Sequence, residues 1–124
     1  MLLGKGRGLH SISTTKELLE SNSTPRLKFR EDLTALLTEW KMAGDRIIVC
    51  LDANEDIYRK MLGRTLTDTD GLDMVEVVGD HTGCKLGATY FRGSRPIDAV
   101  WASRELTVVG ARLMPCGYGI GDHR

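Results

Sequence analysis

The sequence lacks the features that most quickly place a protein in a functional class. Its 124 residues carry no excess charge, because 17 Lys and Arg residues balance 17 Asp and Glu residues. A dedicated nucleic-acid clamp is usually basic, so the overall charge gives no support for a polyanionic partner. Zero net charge still allows an enzyme that holds its phosphate through a few side chains and a metal ion.

Cysteine pairs and long apolar runs are also missing. The three cysteines, Cys50, Cys84 and Cys116, are odd in number and widely spaced, which argues against a disulfide framework or a zinc site. No apolar run approaches the roughly 18 residues of a membrane span, and the N-terminal residues have no apolar stretch of signal-peptide length. We therefore expect an intracellular protein, cytoplasmic or nuclear, with no membrane partner.

The length suits one small domain with a single core, and the first third is predicted to be helical. Residues 1–26 are expected to form an irregular segment that includes a short helix. A stripe of apolar residues at helical spacing then predicts an amphipathic helix over residues 25–43. Thr24 and Pro25 suit the start of this helix, and Gly44 suits its end. The residues of the stripe are Phe29, Leu33, Leu36, Leu37 and Trp40.

Beyond this helix the sequence predicts mainly strands. The run 46–51 is apolar at nearly every position, which predicts a strand covered on both faces. Asn54 suits the cap of a following helix that extends to residue 66, and residues 74–78 are expected to form either a strand or a helix end. The last third is predicted to be β-structure. Its expected strands are residues 88–92, 97–103 and 106–113.

Acidic residues in three places of this framework are candidates for chemistry. They are Asp52 with Asn54 after the first strand, Asp98 within a later strand, and Asp122 with His123 near the end. Taken singly, each has a plain structural explanation: a turn with a helix cap, an exposed strand face, and a polar tail. Taken together, they match the residues of a metal-assisted phosphate-ester hydrolase.

Each of these residue types fits a role in that chemistry. A carboxylate that accepts from one nitrogen of a histidine raises its basicity and leaves the other nitrogen for substrate. Asp98 and His123 suit this pairing. Asp52 and Asp122 offer hard oxygen ligands of the kind that Mg²⁺ takes when it also holds a phosphate. Asn54 adds a neutral donor for a phosphate oxygen or an attacking water.

Three segments of the chain match the motifs of a known superfamily in order and approximate spacing. VCLDANED resembles a strand-Asp-x-Asn motif, ATYFRGSRPIDAVWAS a Thr-Tyr and Arg-x-Ile-Asp segment, and GDHR a closing Ser-Asp-His motif. These motifs are those of the endonuclease/exonuclease/phosphatase superfamily, which includes deoxyribonuclease-I-like and exonuclease-III-like enzymes. The arrangement is also similar to the endonuclease-like domains of retroelements.

The resemblance implies an α+β fold over residues 27–124, a partial two-sheet αββα sandwich of the deoxyribonuclease-I-like type. It implies a metal-dependent phosphodiester hydrolase of the endonuclease type. Mg²⁺ or Mn²⁺ is the implied cofactor, and nucleic acid, DNA in preference to RNA, is the implied partner.

The resemblance also assigns roles to individual residues. Asp52 would orient or deprotonate the attacking water, and Asn54 would hold that water or a phosphate oxygen. Asp98 would orient His123, which donates to the phosphate. The two residues beside the last hairpin, Arg92 and Arg95, are candidate phosphate contacts. The implied metal ligand is Asp122.

The chain also departs from the superfamily's pattern. Gly121 replaces the usual Ser, Pro96 separates Arg95 from Ile97, and no strand bearing an Asn or a metal-binding Glu precedes residue 27. The resemblance therefore covers the C-terminal half of such a domain. This implies weak or absent hydrolysis by the isolated chain and association through exposed sheet edges. Two other functions stay open: a phosphatase of phosphorylated lipids or sugars, and a non-catalytic interaction domain that has lost the metal.

Overall fold

The computed structural model describes residues 24–119 and 121–124, so the short helix expected near the N-terminus lies outside the described residues. The chain divides into two units, residues 1–33 and residues 34–124. The described part is a mixed α/β structure with three helices and one three-stranded antiparallel sheet. None of the helices in this part is long and apolar enough to cross a membrane.

Helix α1 (Pro25–Met42) begins in the first unit and ends in the second. At its start, Oγ1 of Thr24 accepts a hydrogen bond of 3.2 Å from the backbone N–H of Leu27, which satisfies one of the free donors of the first turn. Gly44 follows the helix with a φ of +89°, a left-handed conformation that glycine adopts without strain. The predicted helix and both of its boundary signals are confirmed.

The expected apolar stripe of α1 is only partly buried. In the second unit, Leu37 lies in the core, whereas Leu36 and Trp40 are exposed. The end of the helix is fastened by Lys41, whose Nζ donates to the carbonyl oxygen of Gly71 at 2.7 Å. The helical periodicity therefore predicted helix α1 correctly, but less of its apolar stripe is buried than an amphipathic pattern indicates.

The sheet has the strand order β1–β3–β2, and both neighbouring pairs are antiparallel. The strands are β1 (Ile48–Asp52), β2 (Met74–Glu76) and β3 (Asp98–Ser103). Strand β3 lies between the other two, and its Trp101 is buried in the core. The expected strand over residues 97–103 is thus confirmed as the centre of the sheet.

Strand β1 lies at the edge of the sheet, and one of its faces is exposed. The exposed face corrects the expectation that both faces are covered. Its residues alternate between exposed and half-buried, and Ile48 keeps 64% of its surface exposed. In the described part of the chain, no other strand pairs with its outer edge. A continuous apolar run is typical of a strand that is covered on both faces, but in the described structure the face that carries Ile48 and Cys50 is open to solvent.

The acidic run after β1 forms turns instead of the first turn of a helix. Helix α2 (Met61–Thr67) begins seven residues after Asn54, so the helix expected to start there is shorter. Asp56 is buried, and its Oδ1 accepts from the backbone N–H groups of Tyr58 and Arg59 at 3.0 and 3.1 Å. Because the carboxylate takes these donors, the chain closes a turn where helical bonds would otherwise form.

Strand β2 runs directly into helix α3 (Val77–Thr82), so residues 74–78 contain both a strand and a helix start. Glu76 joins the two elements. Its carboxylate is buried and accepts from the backbone N–H groups of Val78 and Gly79 at 3.0 and 2.7 Å, which caps α3.

Tyr58 ties this cap to the neighbouring loops. Its hydroxyl donates to Oε2 of Glu76 at 3.2 Å and accepts from the backbone N–H of Leu86 at 2.8 Å. Burial is the largest cause of the raised pKa of Tyr58. One phenol therefore connects the turn after β1, the start of α3 and the segment that follows α3.

The predictions of two of the three strands in the last third of the chain, residues 88–92 and 106–113, are wrong. Within residues 88–92 the structure has only an isolated bridge between Tyr90 and His123. Residues 106–113 contain no strand, and Val109 keeps 96% of its surface exposed. A suitable apolar pattern forms a strand only where another strand offers backbone partners, and no described strand pairs with these two segments.

We predict that Glu76→Gln lowers the free energy of unfolding by about 1–3 kcal/mol. The substitution replaces an accepting oxygen with an amide N–H₂ group, which leaves a buried donor of the cap without its acceptor. Urea denaturation followed by circular dichroism measures the change. Asp80→Asn, on an exposed position of the same helix, is the control and is expected to change the free energy by less than ~0.5 kcal/mol. Equal losses in both variants would contradict the capping role.

Candidate functional site

One end of the sheet brings two of the predicted site residues together. Asp52 is the last residue of β1, Asp98 is the first of β3, and the register places them directly opposite each other. Directly opposed residues of an antiparallel pair have their side chains on the same face. Two carboxylates in this arrangement repel each other, which favours a cation or a protonated group beside them.

His123 supplies a group of this kind. Its Nδ1 atom lies 2.8 Å from Oδ2 and 3.0 Å from Oδ1 of Asp98. With Nδ1 donating to the carboxylate, Nε2 is left for another partner. The side chains of His123 and Asp98 are 36% and 22% exposed, so both are open to solvent-borne ligands. The structure places these two residues in the contact that the sequence predicts.

A short antiparallel contact between two segments positions His123. Tyr90 and His123 form an isolated bridge, and the N–H of Phe91 donates to the carbonyl oxygen of Asp122 at 2.8 Å. The rings of Tyr90 and His123 are tilted by 42°, with their centroids 5.2 Å apart. The predicted hairpin strand is thus reduced to one bridge, and that bridge is at the histidine.

Thr89 positions Asp98, a role that the sequence-based expectations did not assign. It is 0% exposed, and its Oγ1 accepts hydrogen bonds of 3.0 Å from the backbone N–H groups of both Ile97 and Asp98. One hydroxyl oxygen therefore fixes the start of β3. The Thr-Tyr pair of the matched motif was the available signal, but the partners of a buried hydroxyl depend on the tertiary structure.

Asn54 shapes the turn that follows β1. Its backbone N–H donates to Oδ1 of Asp52 at 2.9 Å, and its φ is +50°. Asn adopts this left-handed conformation more readily than most residues. The N–H of Ala53 donates to the carbonyl oxygen of Ile97 at 2.7 Å. The Asp52 carboxylate is thereby held at the end of the strand by its own turn.

The cluster of possible metal ligands consists of Asp52, Asp98 and His123. One ligand atom from each lies within 4.8 Å of the others. Asp122, the ligand expected from the motif, stands outside this cluster: its carboxylate is 58% exposed, and its Oδ1 lies 3.9 Å from Nε2 of His123. Two carboxylates and an imidazole suit a small divalent cation, and the repulsion between the opposed carboxylates favours one. The two carboxylates of this donor set suit a hard cation such as Mg²⁺ or Mn²⁺, whereas an imidazole is a more usual ligand of softer divalent ions.

The predicted phosphate-binding arginines take no part in these contacts. Arg92 and Arg95 are both exposed. Within the described residues, neither forms a hydrogen bond or an ion pair, and neither lines the cavities that border the cluster. Their predicted role stays a prediction.

Two other arginines, Arg112 and Arg124, are the basic residues beside the cluster. A cavity of about 450 Å³ is lined by Asp52, Asp98 and both arginines. A second cavity of about 270 Å³ is lined by His123 and also by Arg124. Sequence reasoning missed both arginines because they lie on irregular segments without a periodic pattern.

The guanidinium of Arg124 is only partly satisfied by the protein. Its Nη1 donates to Sγ of Cys116 at 3.0 Å, while its Nε is buried without a hydrogen-bond partner. A buried donor without an acceptor is costly. Arg124, which lines both cavities, therefore has one buried hydrogen-bond donor that the described residues leave unused.

Comparisons of the chain with protein-family models, with curated proteins and with solved structures find no match. The class of the site is consequently inferred from its geometry and from the motifs of the sequence.

We predict that His123 titrates above the ordinary histidine pKa of 6.5. The hydrogen bond to Asp98 is the largest cause, desolvation opposes it, and the charges of Asp98, Asp52 and Asp122 raise the pKa further. Because the folded-state pKa is raised, the stabilisation from the pair is fully present below pH 6.5 and is lost as the pH rises through the folded-state pKa.

An NMR titration of the imidazole in metal-free buffer with a chelator measures this pKa. In Asp98→Asn it is expected to fall toward 6.5, because the carboxylate that favours the imidazolium is gone. Asp70→Asn, in an exposed turn, is expected to leave it unchanged. An unchanged pKa in Asp98→Asn would show that the pair does not form in solution.

Proposed function

We propose that this chain carries the site of a metal-dependent phosphodiester hydrolase of the endonuclease type, within the endonuclease/exonuclease/phosphatase superfamily. One observation carries the proposal: Asp52, Asp98 and His123 come from three separate segments and converge at one end of the sheet. Two carboxylates opposed on one face cost stability, so folding alone gives little reason for them. A function that needs a cation or a protonated histidine does give a reason for this pair of carboxylates.

His123 is the residue that we propose to act on the phosphate. Its Nδ1 is held by Asp98, so a proton on Nε2 is available to a phosphate oxygen. The raised pKa of His123 favours the protonated form at near-neutral pH. Asp98 fixes the orientation of the ring and stabilises its positive charge. Asp52, with Asn54 beside it in the turn, would orient or deprotonate the attacking water.

The residues that would hold Mg²⁺ or Mn²⁺ are Asp52 and Asp98, with Asp122 contributing directly or through water. When bound, such a cation polarises the phosphate and lowers the pKa of a coordinated water. Hard cations of this kind take about six ligands, mostly oxygens. Because His123 is assigned to the phosphate, the described cluster of Asp52, Asp98 and His123 leaves two carboxylates for the metal, and we expect weak metal binding and slow hydrolysis by this chain.

The two cavities support a diester substrate. One is lined by Asp52 and Asp98, the other by Asp122 and His123, and Arg124 lines both. A phosphodiester carries an organic group on each side of its phosphorus, whereas a phosphomonoester carries one. Two cavities that share Arg124 in their lining offer one space for each of these groups, and on this ground we favour the diester over the phosphatase alternative. Nucleic acid, DNA in preference to RNA, is the diester that the resemblance implies.

The finer fold assignment is part of the same proposal. We propose that the three-stranded sheet belongs to a two-sheet αββα sandwich of the deoxyribonuclease-I-like type. The exposed face of β1 and the exposed Ile48 support this, since a sheet that packs on a second sheet carries apolar residues on the face between them.

We predict that Mn²⁺ or Mg²⁺ raises the melting temperature of the chain, because a ligand that binds only the folded state stabilises it. Asp52→Asn is expected to remove most of the rise, since it removes one of the two opposed carboxylates. Scanning calorimetry at increasing metal concentration measures the effect. Asp70→Asn is the matched control in an exposed turn and should retain the full rise. Equal rises in both variants would contradict metal binding at this cluster.

We further predict slow, metal-dependent cleavage of plasmid DNA and of the model diester bis(p-nitrophenyl) phosphate. His123→Ala is expected to reduce the rate by roughly 100-fold or more, the usual contribution of a positioned acid–base group. The monoester p-nitrophenyl phosphate should be cleaved more slowly than the diester. Absence of both metal binding and cleavage would favour the non-catalytic alternative, and metal binding without any cleavage would contradict the hydrolase proposal. Cleavage that survives His123→Ala would overturn the proposed role.

A further inference from the structure

The outer edge of β1 presents backbone groups that the described structure leaves without partners. The bonds to β3 are made by the odd-numbered residues of β1, as in the hydrogen bond of 2.9 Å from Ser103 to the carbonyl oxygen of Ile47. In an antiparallel ladder, the alternate residues then direct their N–H and C=O groups the opposite way. Within residues 24–119 and 121–124, no hydrogen bond to these outward groups is formed. The outward residues are Ile48, Cys50 and Asp52.

The side chains along this edge are exposed as well. Ile48 and Cys50 are open to solvent on the same face. The segment that contains Leu113 lines a cavity together with Cys50, Leu51 and Asp52, and within the described residues it forms no backbone hydrogen bond to this strand. A flat, exposed edge with apolar side chains is a ready template for another strand.

The charges at the two ends of the edge indicate which strand fits. Arg46 precedes β1 and is exposed, and within the described residues it forms no ion pair. Asp52, at the other end, carries the opposite charge. A strand running antiparallel with a positive end and a negative end is complementary to this edge, and β1 itself is such a strand.

We propose that β1 pairs antiparallel with β1 of a second copy of this chain, across a twofold axis at Val49. In this register Arg46 stands opposite the partner's Asp52, and Ile48 stands opposite the partner's Cys50. Both pairs consist of even-numbered residues, so they use the outward backbone groups. The two sheets become one continuous sheet, and each candidate site gains the guanidinium of the partner's Arg46 beside Asp52.

The charges distinguish this register from its nearest alternative. With the axis at Cys50, Ile48 would stand opposite the partner's Asp52, and Arg46 would lose its charged partner. Charges of opposite sign in a cross-strand pair stabilise the pairing, whereas a carboxylate that faces an aliphatic side chain does not. Because only short strands meet, the interface is small and the dimer is concentration-dependent. The proposal requires only the sheet edge and is independent of the proposed hydrolase activity.

Sedimentation equilibrium of the full chain over a wide concentration range tests the association. We expect a monomer–dimer equilibrium that weakens about tenfold in Arg46→Asp, where like charges face each other twice. The double variant Arg46→Asp with Asp52→Arg reverses both charges and is expected to restore the dimer. Arg64→Asp, on the exposed side of α2, is the control and should leave the equilibrium unchanged. A chain that stays monomeric throughout would overturn the proposal.

Disulfide cross-linking tests the register. In a background of Cys84→Ser and Cys116→Ser, Ile48→Cys is expected to give a covalent dimer through the partner's Cys50 on mild oxidation. Opposed residues in such a pair have Cα atoms about 5.5 Å apart, within the range of a disulfide. The same background with isoleucine kept at position 48 should cross-link far more slowly. Equal cross-linking through Cys50 alone would place the axis at Cys50 and overturn the Val49 register.

Discussion

The antiparallel pairing of β1 with β3 is the constraint on which the rest of the structure depends. Its register sets Trp101 opposite Val49 and, at the end of the same ladder, Asp98 opposite Asp52. One set of backbone hydrogen bonds therefore fixes both the core and the candidate site. The ladder that holds the two opposed carboxylates also buries the tryptophan, so the site rests on the central pairing of the sheet.

His123 is held at this site by fewer backbone contacts than the two carboxylates, which lie on paired strands. The bridge with Tyr90 and the hydrogen bond to Asp98 hold it, and both Tyr90 and His123 lie outside the strands of the sheet. Thr89, buried at the base of the bridge, contacts the start of β3 and so links the two parts. The carboxylates of Asp52 and Asp98 are thus positioned by a sheet, whereas the proposed acid is positioned by contacts that a modest displacement would break.

The same ladder explains why one edge of the sheet is open. Because β3 takes the central position, β1 is left with one bonded side, and its apolar run carries more hydrophobic surface than an edge strand needs. The outward backbone groups follow from the strand order, whereas Ile48 is exposed because its face of the strand is open in the described structure. Site and open edge share Asp52, so association at the edge and ligand binding at the site would act on one residue.

The sequence by itself determined helix α1, strands β1 and β3, and which residues are candidates for the site. Helical spacing and a cap gave α1, apolar runs gave β1 and β3, and the order of the acidic motifs gave Asp52, Asp98 and His123. Only the tertiary structure decided which apolar segments became strands, because a strand needs a partner and residues 106–113 have none among the described strands. It also decided which face is exposed and which buried hydroxyl holds Asp98, since both depend on contacts between residues far apart in the chain.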